Sequence, residues 1–187
     1  STGLLIRWLW VRLPPGAPNT IIIKGIMTPI SNKTKTKRQF YNMDIHIHTP
    51  ASADFQVPDT SYLEILQKAE SRGLDIFAFT DHNTIKGYSS VLDEIDYLSS
   101  LDKTNRLLPE EKYRLGEYTR LLDKILVLPG FEFTAMFGFH LIALFSPSKN
   151  VREIEHLLID LGVSPAQLDE GSTTIGASVD VIRSYQL

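Results

Sequence analysis

Residues 75–80 (DIFAFT) form a short, almost wholly apolar run that leads straight into Asp81, His82 and Asn83. The run is too short for an ordinary helix and has no polar face. A strand of this kind is buried on both sides, as a parallel strand is when helices cover its faces. It also places Thr80-Asp81-His82-Asn83 at the strand's carboxyl end, where parallel sheets and barrels bind ligands. Asp81 or Asn83 can serve as a helix cap there, but a cap does not need the histidine.

The rest of the body alternates in the same way. Residues 40–48 (FYNMDIHIH) show period two from Met43 on and read as a strand. Asp59-Thr60-Ser61 with Glu64 signals a capped helix to about Arg72, ended by Gly73. Residues 88–101 and 109–124 have helical patterns, the second opened by Pro109. Residues 125–128 begin a strand that continues after Pro129-Gly130 as FEFTA, and residues 139–145 (FHLIALF) form another. Asn150 with Glu153 reads as a capping box, and Gly162 stops that helix. Ser164-Pro165 opens a short helical turn, Gly171–Gly176 (GSTTIG) is a loop signal, and Ser178 caps a last helix. Strand–helix alternation predicts an α/β fold with a parallel sheet or barrel. The last helix is still running at Leu187, so residues 40–187 are expected to be the amino-terminal part of a larger domain.

Charge divides the chain. Up to Met43 there are seven Lys/Arg and no Asp/Glu; from Asp44 there are twelve Lys/Arg against twenty-two Asp/Glu, a net of −10. So acidic a body is no obvious nucleic-acid binder but suits cations. Residues 1–39 read as an unstructured leader. Within it, WVRLPPGAP (residues 10–18) resembles the mistaken translation of the 3′ arm of a transfer-RNA gene, which would start the protein at Met27; a natural flexible leader is the alternative. Residues 31–38 (SNKTKTKR) are a basic linker. There is no cysteine, which excludes a disulfide framework, a thiolate zinc site and a thiol nucleophile. That fits a reducing compartment, and a cytoplasmic location is expected. No apolar run reaches the ~18 residues that cross a bilayer, so no membrane partner is expected.

Four of the five histidines lie beside carboxylates at strand ends. Asp44, His46 and His48 share one face of their strand, and two imidazoles at i and i+2 converge on one ion; a satisfied core pair gives the same pattern. Glu132 is a lone acid among Leu128, Phe131, Phe133 and Phe137, costly to bury unless it meets a cation or hydrogen bonds. A turn centred on Met136-Phe137 sets His140 opposite Phe133 or its neighbours, beside Glu132. An arginine partner for Glu132 and an ordinary core role for His140 are the alternative. His156 stands on the opposite side of its helix from the apolar stripe of Val151, Ile154, Leu158 and Leu161, and is expected to be solvated and inert.

Taken in order, DIHIHTPASADF, FTDHNTIKGY, LPGFEF and GFHLIALF closely resemble the PHP (polymerase and histidinol phosphatase) family, from about Phe40 to Leu187. The resemblance implies an incomplete, distorted (β/α)7 barrel with two or three divalent ions (Zn, Mn or Fe) in its mouth. It implies metal-dependent hydrolysis of phosphate esters, from a phosphorylated small molecule or a nucleic-acid phosphoester. His46, His48 and Glu132 resemble ligands of one ion, Glu132 bridging to a second shared with His140, and His82 a ligand of a third. Glu132, His82 and Asp81 are the residues it assigns to catalysis, Asp81 by orienting a ligand or standing behind one. Asp54 lies near where family members often place another ligand. The family's later motifs, a His after the next strand and a terminal Asp-x-His, are absent from the 187 residues, so the fragment itself is expected to be inactive. Ions of this kind activate water, clamp phosphoryl oxygens and neutralise developing charge. Two alternatives stand beside this reading: a non-catalytic PHP-like structural module of a larger protein, and a metal-dependent amidohydrolase.

Overall fold

The structure, a computed structural model, describes residues 40–57, 59–134 and 140–171. The leader, the turn at Met136-Phe137, all of GSTTIG after Gly171 and the helix expected after Ser178 lie outside the described residues. The element order is β1 (Met43–Ile47), α1 (Tyr62–Ser71), β2 (Ile76–Phe79), α2 (Lys86–Lys103), α3 (Pro109–Lys124), β3 (Leu126–Thr134), β4 (His140–Leu144), α4 (Val151–Asp160) and α5 (Pro165–Glu170). The fold is mixed α/β, around a curled four-stranded sheet in the order β1-β2-β3-β4.

β1, β2 and β3 are parallel, with Met43 opposite Ile76 and Ile76 opposite Leu126. β4 returns antiparallel along β3 and sets His140 opposite Thr134. The apolar run of β2 is central: Phe77, Ala78 and Phe79 are buried, as a strand covered on both faces must be. β2–β3 pairing stops at Phe79↔Pro129, where proline has no N–H to give. It resumes beyond the strand end at a bridge between His82 and Glu132. That resumption fixes the site, because it lays the loop after β2 along the second half of β3.

Local signals account for the helices. Ser61 caps α1 in a reciprocal box, its hydroxyl accepting from Glu64 N–H and its own N–H donating to the Glu64 carboxylate. Pro109 opens α3, and Leu108 N–H donates to Glu111 Oε2 at 2.9 Å. Two expectations need correction. Asn150 caps α4 through Arg152 N–H, but Glu153 completes no box; its carboxylate pairs with Lys149 instead. Helix α2 begins at Lys86, not Tyr88, because Thr84 Oγ1 accepts the Lys86 N–H and starts the first turn early. The core gathers Leu66, Phe77, Phe79, Tyr118, Leu121, Phe131, Ile154 and Leu158, all at most 1% exposed. Each such side chain contributes roughly 1.5–3 kcal/mol by leaving water. Among the described residues no helix is long and apolar enough to cross a membrane.

Candidate metal centre

Glu132 lies on β3 among buried residues, and its carboxylate is the meeting point of the histidines. β1 brings His46 Nε2 to 2.9 Å and, just past the strand, His48 Nε2 to 2.7 Å of Glu132 Oε2. β4 returns His140 Nδ1 to 2.5 Å of Oε1. The loop after β2 presents His82, whose Nδ1 stands 3.4 Å from Oε2. The imidazoles form a continuous cluster, with ring centroids 5.2 Å apart for His46–His48, 4.4 Å for His48–His82 and 5.4 Å for His82–His140.

Backbone hydrogen bonds make this convergence rigid. Glu132 N–H donates to the Asp81 carbonyl at 2.9 Å, and Asn83 N–H donates to the Glu132 carbonyl at 2.8 Å. Asn83 does not cap α2; Ile85 holds that position. Asn83 sits at φ 52, a left-handed conformation that asparagine tolerates, and its side-chain oxygen accepts from Thr134 N–H at 3.0 Å.

Asp54 carries more of the site than its place in the sequence suggests. Its carboxylate lies 3.4 Å from His48 Nδ1 and 3.2 Å from His82 Nε2. Asp81 stands apart from the imidazoles. It is buried and accepts from Thr49 N–H at 2.6 Å, Thr49 Oγ1 at 2.8 Å and Ser52 Oγ at 2.9 Å. Ser52 Oγ in turn accepts from His82 N–H at 3.0 Å, so Asp81 ties the loop of Asp54 to the backbone of His82. Gly87 lets α2 start against this knot, because a Cβ there would collide with Asp81 Oδ2. Sequence reasoning missed Thr49, Ser52 and Gly87; two small hydroxyls just after His48 were the available signal. Asp44 is not drawn into the cluster: pairing shifts register between Asp44 and Ile47, and its carboxylate accepts from His46 N–H at 3.3 Å. His156 is exposed on α4, as expected.

Among the described residues Glu132 pairs with histidines and no arginine. Burial acts to raise the Glu132 carboxyl, but hydrogen bonds from His46 and His48, the His46 charge and the His140 hydrogen bond hold it far below the ordinary carboxylate range. Burial pulls His48 down, yet its hydrogen bond to Glu132 and the charges of Glu132, Asp54 and Asp81 leave it above an ordinary histidine. His82 is pushed down, first by burial. Burial raises Asp81 despite the hydrogen bonds from Thr49 and Ser52.

Three groups bring ligand atoms within 4.8 Å of one another: His46–His48–Glu132, His48–Asp54–His82 and His82–Glu132–His140. They share Glu132, His48 and His82, so they form one chain of adjoining sites. Imidazole nitrogens and carboxylate oxygens are both donors to divalent metal ions. One further observation fits a cation: His82 Nδ1 is buried, faces Glu132 and makes no hydrogen bond. A buried, unsatisfied nitrogen is costly in a folded chain. No protein-family model matches the chain, and no curated protein matches it.

Proposed function

We propose that the chain carries ligands of a multinuclear metal site that hydrolyses phosphate esters, in a barrel of PHP type. The observation that carries the reading is the shared carboxylate: Glu132 belongs to two of the three ligand groups, with an imidazole on each of its oxygens. Glu132 and these imidazoles would hold adjacent divalent ions, and a pair of ions would clamp the attacking and leaving oxygens of an in-line displacement at phosphorus. Divalent ions held there would lower the pKa of water and neutralise charge on phosphoryl oxygens.

The chain's own residues have separable parts in this scheme. His46, His48, His82, His140, Glu132 and Asp54 are the ligands. Asp81, through Thr49 and Ser52, holds the loop that carries Asp54 and the backbone that carries His82. The position of the cluster supports the reading as well. It gathers beyond the carboxyl ends of β1 and β2 and along β3, the edge of a parallel sheet at which phosphorylated substrates bind.

The experiment pairs metal analysis with hydrolysis of a generic phosphomonoester, a phosphodiester and an amide, in the product of the complete reading frame that contains these residues. Metal uptake with phosphoester turnover, both lost in Glu132→Gln, supports the proposal. Uptake without turnover would replace it by a non-catalytic PHP-like module. Preference for the amide would replace it by an amidohydrolase, and a protein that takes up no metal would overturn it.

A further inference from the structure

The loop from Thr49 to Asp54 is held from two sides, and only the inner side belongs to the site described above. On the outer side Ala53 N–H donates to the carbonyl of Gly171 at 3.1 Å. Gly171 ends α5 in the left-handed conformation, φ 55 and ψ 42. The approach is so close that a Cβ at Gly171 would collide with the Ala51 carbonyl oxygen. The same helix end takes a second donor: Lys86 Nζ reaches the Asp169 carbonyl at 3.3 Å. Ala53 adjoins Asp54, and Lys86 follows His82 on the segment that enters α2.

We infer that the carboxyl end of α5 is a clamp on the metal centre, with Gly171 as a positioning residue that sets Asp54 against His82. The inference rests on the metal-centre reading and adds to it a part of the chain far from any ligand in sequence. The physics is that of a helix end. Its last carbonyls have no partner within the helix and carry partial negative charge. A backbone N–H and an ammonium are the groups such an end accepts. Here one comes from the piece of chain that presents Asp54 and the other from the piece that follows His82. The Asp54 and His82 side chains meet at 3.2 Å between those two anchors. Asp54 is 47% exposed at its side chain, so packing alone does not fix it. Only glycine allows both the left-handed turn and the close approach.

The test compares Co²⁺ binding to the 187-residue chain and to two variants, read by visible absorption and by competition with a chelator. Gly171→Ala carries both the backbone strain and the collision. Gly73→Ala, at φ 68 with nothing within 4 Å of its would-be Cβ, carries the strain alone, at the end of α1. Gly171→Ala is expected to lose about 10–100-fold in Co²⁺ affinity, as loss of a ligand's support does, with an altered spectrum. Gly73→Ala is expected to keep both. A folded Gly171→Ala with the wild-type spectrum and affinity would overturn the clamp. If Gly171→Ala does not fold, amide exchange on the wild type decides. Zn²⁺ should slow the Ala53 amide more than the amides of α3, and an unchanged Ala53 rate overturns the clamp. A wild-type chain that takes up neither ion overturns the metal centre itself, a different failure from the loss of the clamp alone.

Discussion

Replacing Glu132 by glutamine tests the metal centre at the atom on which it turns. Glutamine keeps the shape but removes the charge. It also puts an NH₂ donor where an imidazole N–H already points, at 2.5 Å from His140 or at 2.7 Å from His48. Glu132 is the sole anionic donor in two of the three ligand groups, so one substitution weakens both. Losing a group that merely supports a ligand costs about 10–100-fold in metal affinity, and a direct donor is set at the upper end, about 100-fold. At a free Zn²⁺ concentration of about 100 Kd, binding stabilises the folded state by about 2.7 kcal/mol; a protein binding about 100-fold more weakly gains about 0.4 kcal/mol at the same concentration. At roughly 2–4 °C per kcal/mol for a chain of this size, added Zn²⁺ should raise the wild-type Tm by about 5–10 °C and that of Glu132→Gln by about 1–2 °C. The assay is scanning calorimetry with and without Zn²⁺. The difference cancels any stability the substitution costs in the metal-free protein. An equal rise in both proteins would refute the reasoning.

Other expectations follow from the same contacts. His156→Ala should leave Tm and Zn²⁺ uptake unchanged, within about 0.5 kcal/mol by urea titration, because the side chain is exposed and outside every ligand group. Tyr118→Phe should cost about 1.5–3 kcal/mol in the same titration, since the buried hydroxyl donates to Glu94 Oε2 at 2.6 Å. Hydrogen bonds from Arg120 and Lys124 hold Glu70 at about 2 against an ordinary 4.5, so what it adds to stability is whole above 4.5 and lost as pH falls toward 2. Glu70→Gln should therefore be less stable than wild type at neutral pH, and acid titrations of the two should converge over that window. Against its burial, the hydrogen bond to Glu132 and the neighbouring carboxylates raise the His48 pKa, and a protonated imidazole cannot hold an ion, so Zn²⁺ affinity should weaken as pH drops; an affinity flat between about pH 5 and 8 would contradict this.

Much of the fold was legible because each element carried its own local signal. Phe77 to Thr80 of the apolar run are buried within the sheet, and Ser61, Pro109 and Ser164 start helices by the chemistry of their side chains. The misreadings fall where the structure offers a partner or a pairing other than the expected one. Glu153 matches a capping box in sequence, but Lys149, four residues earlier and just ahead of the helix, takes the carboxylate. Asn83 has the composition of a cap, yet β3 offers it the N–H of Thr134. Asp44 shares the alternation of His46 and His48, and the register shift within β1 separates it from them.

The site divides along the same line. The clustered side chains were legible because imidazoles and carboxylates at strand ends have few cheap structural uses, and burying Glu132 without partners is unfavourable enough to demand an explanation. What positions them was not legible, because it consists of groups with no chemical signature. A backbone bridge past Pro129 sets His82 against Glu132. The hydroxyls of Thr49 and Ser52 occupy Asp81, and nothing in their spacing announces that they will. The carbonyl of a glycine more than a hundred residues away holds the loop beside Asp54. Sequence patterns report side chains, whereas the geometry of a metal centre is set largely by main-chain donors and acceptors that every residue possesses. A residue such as Gly171 then enters the site through the absence of a side chain, and only the fold can say where that absence matters.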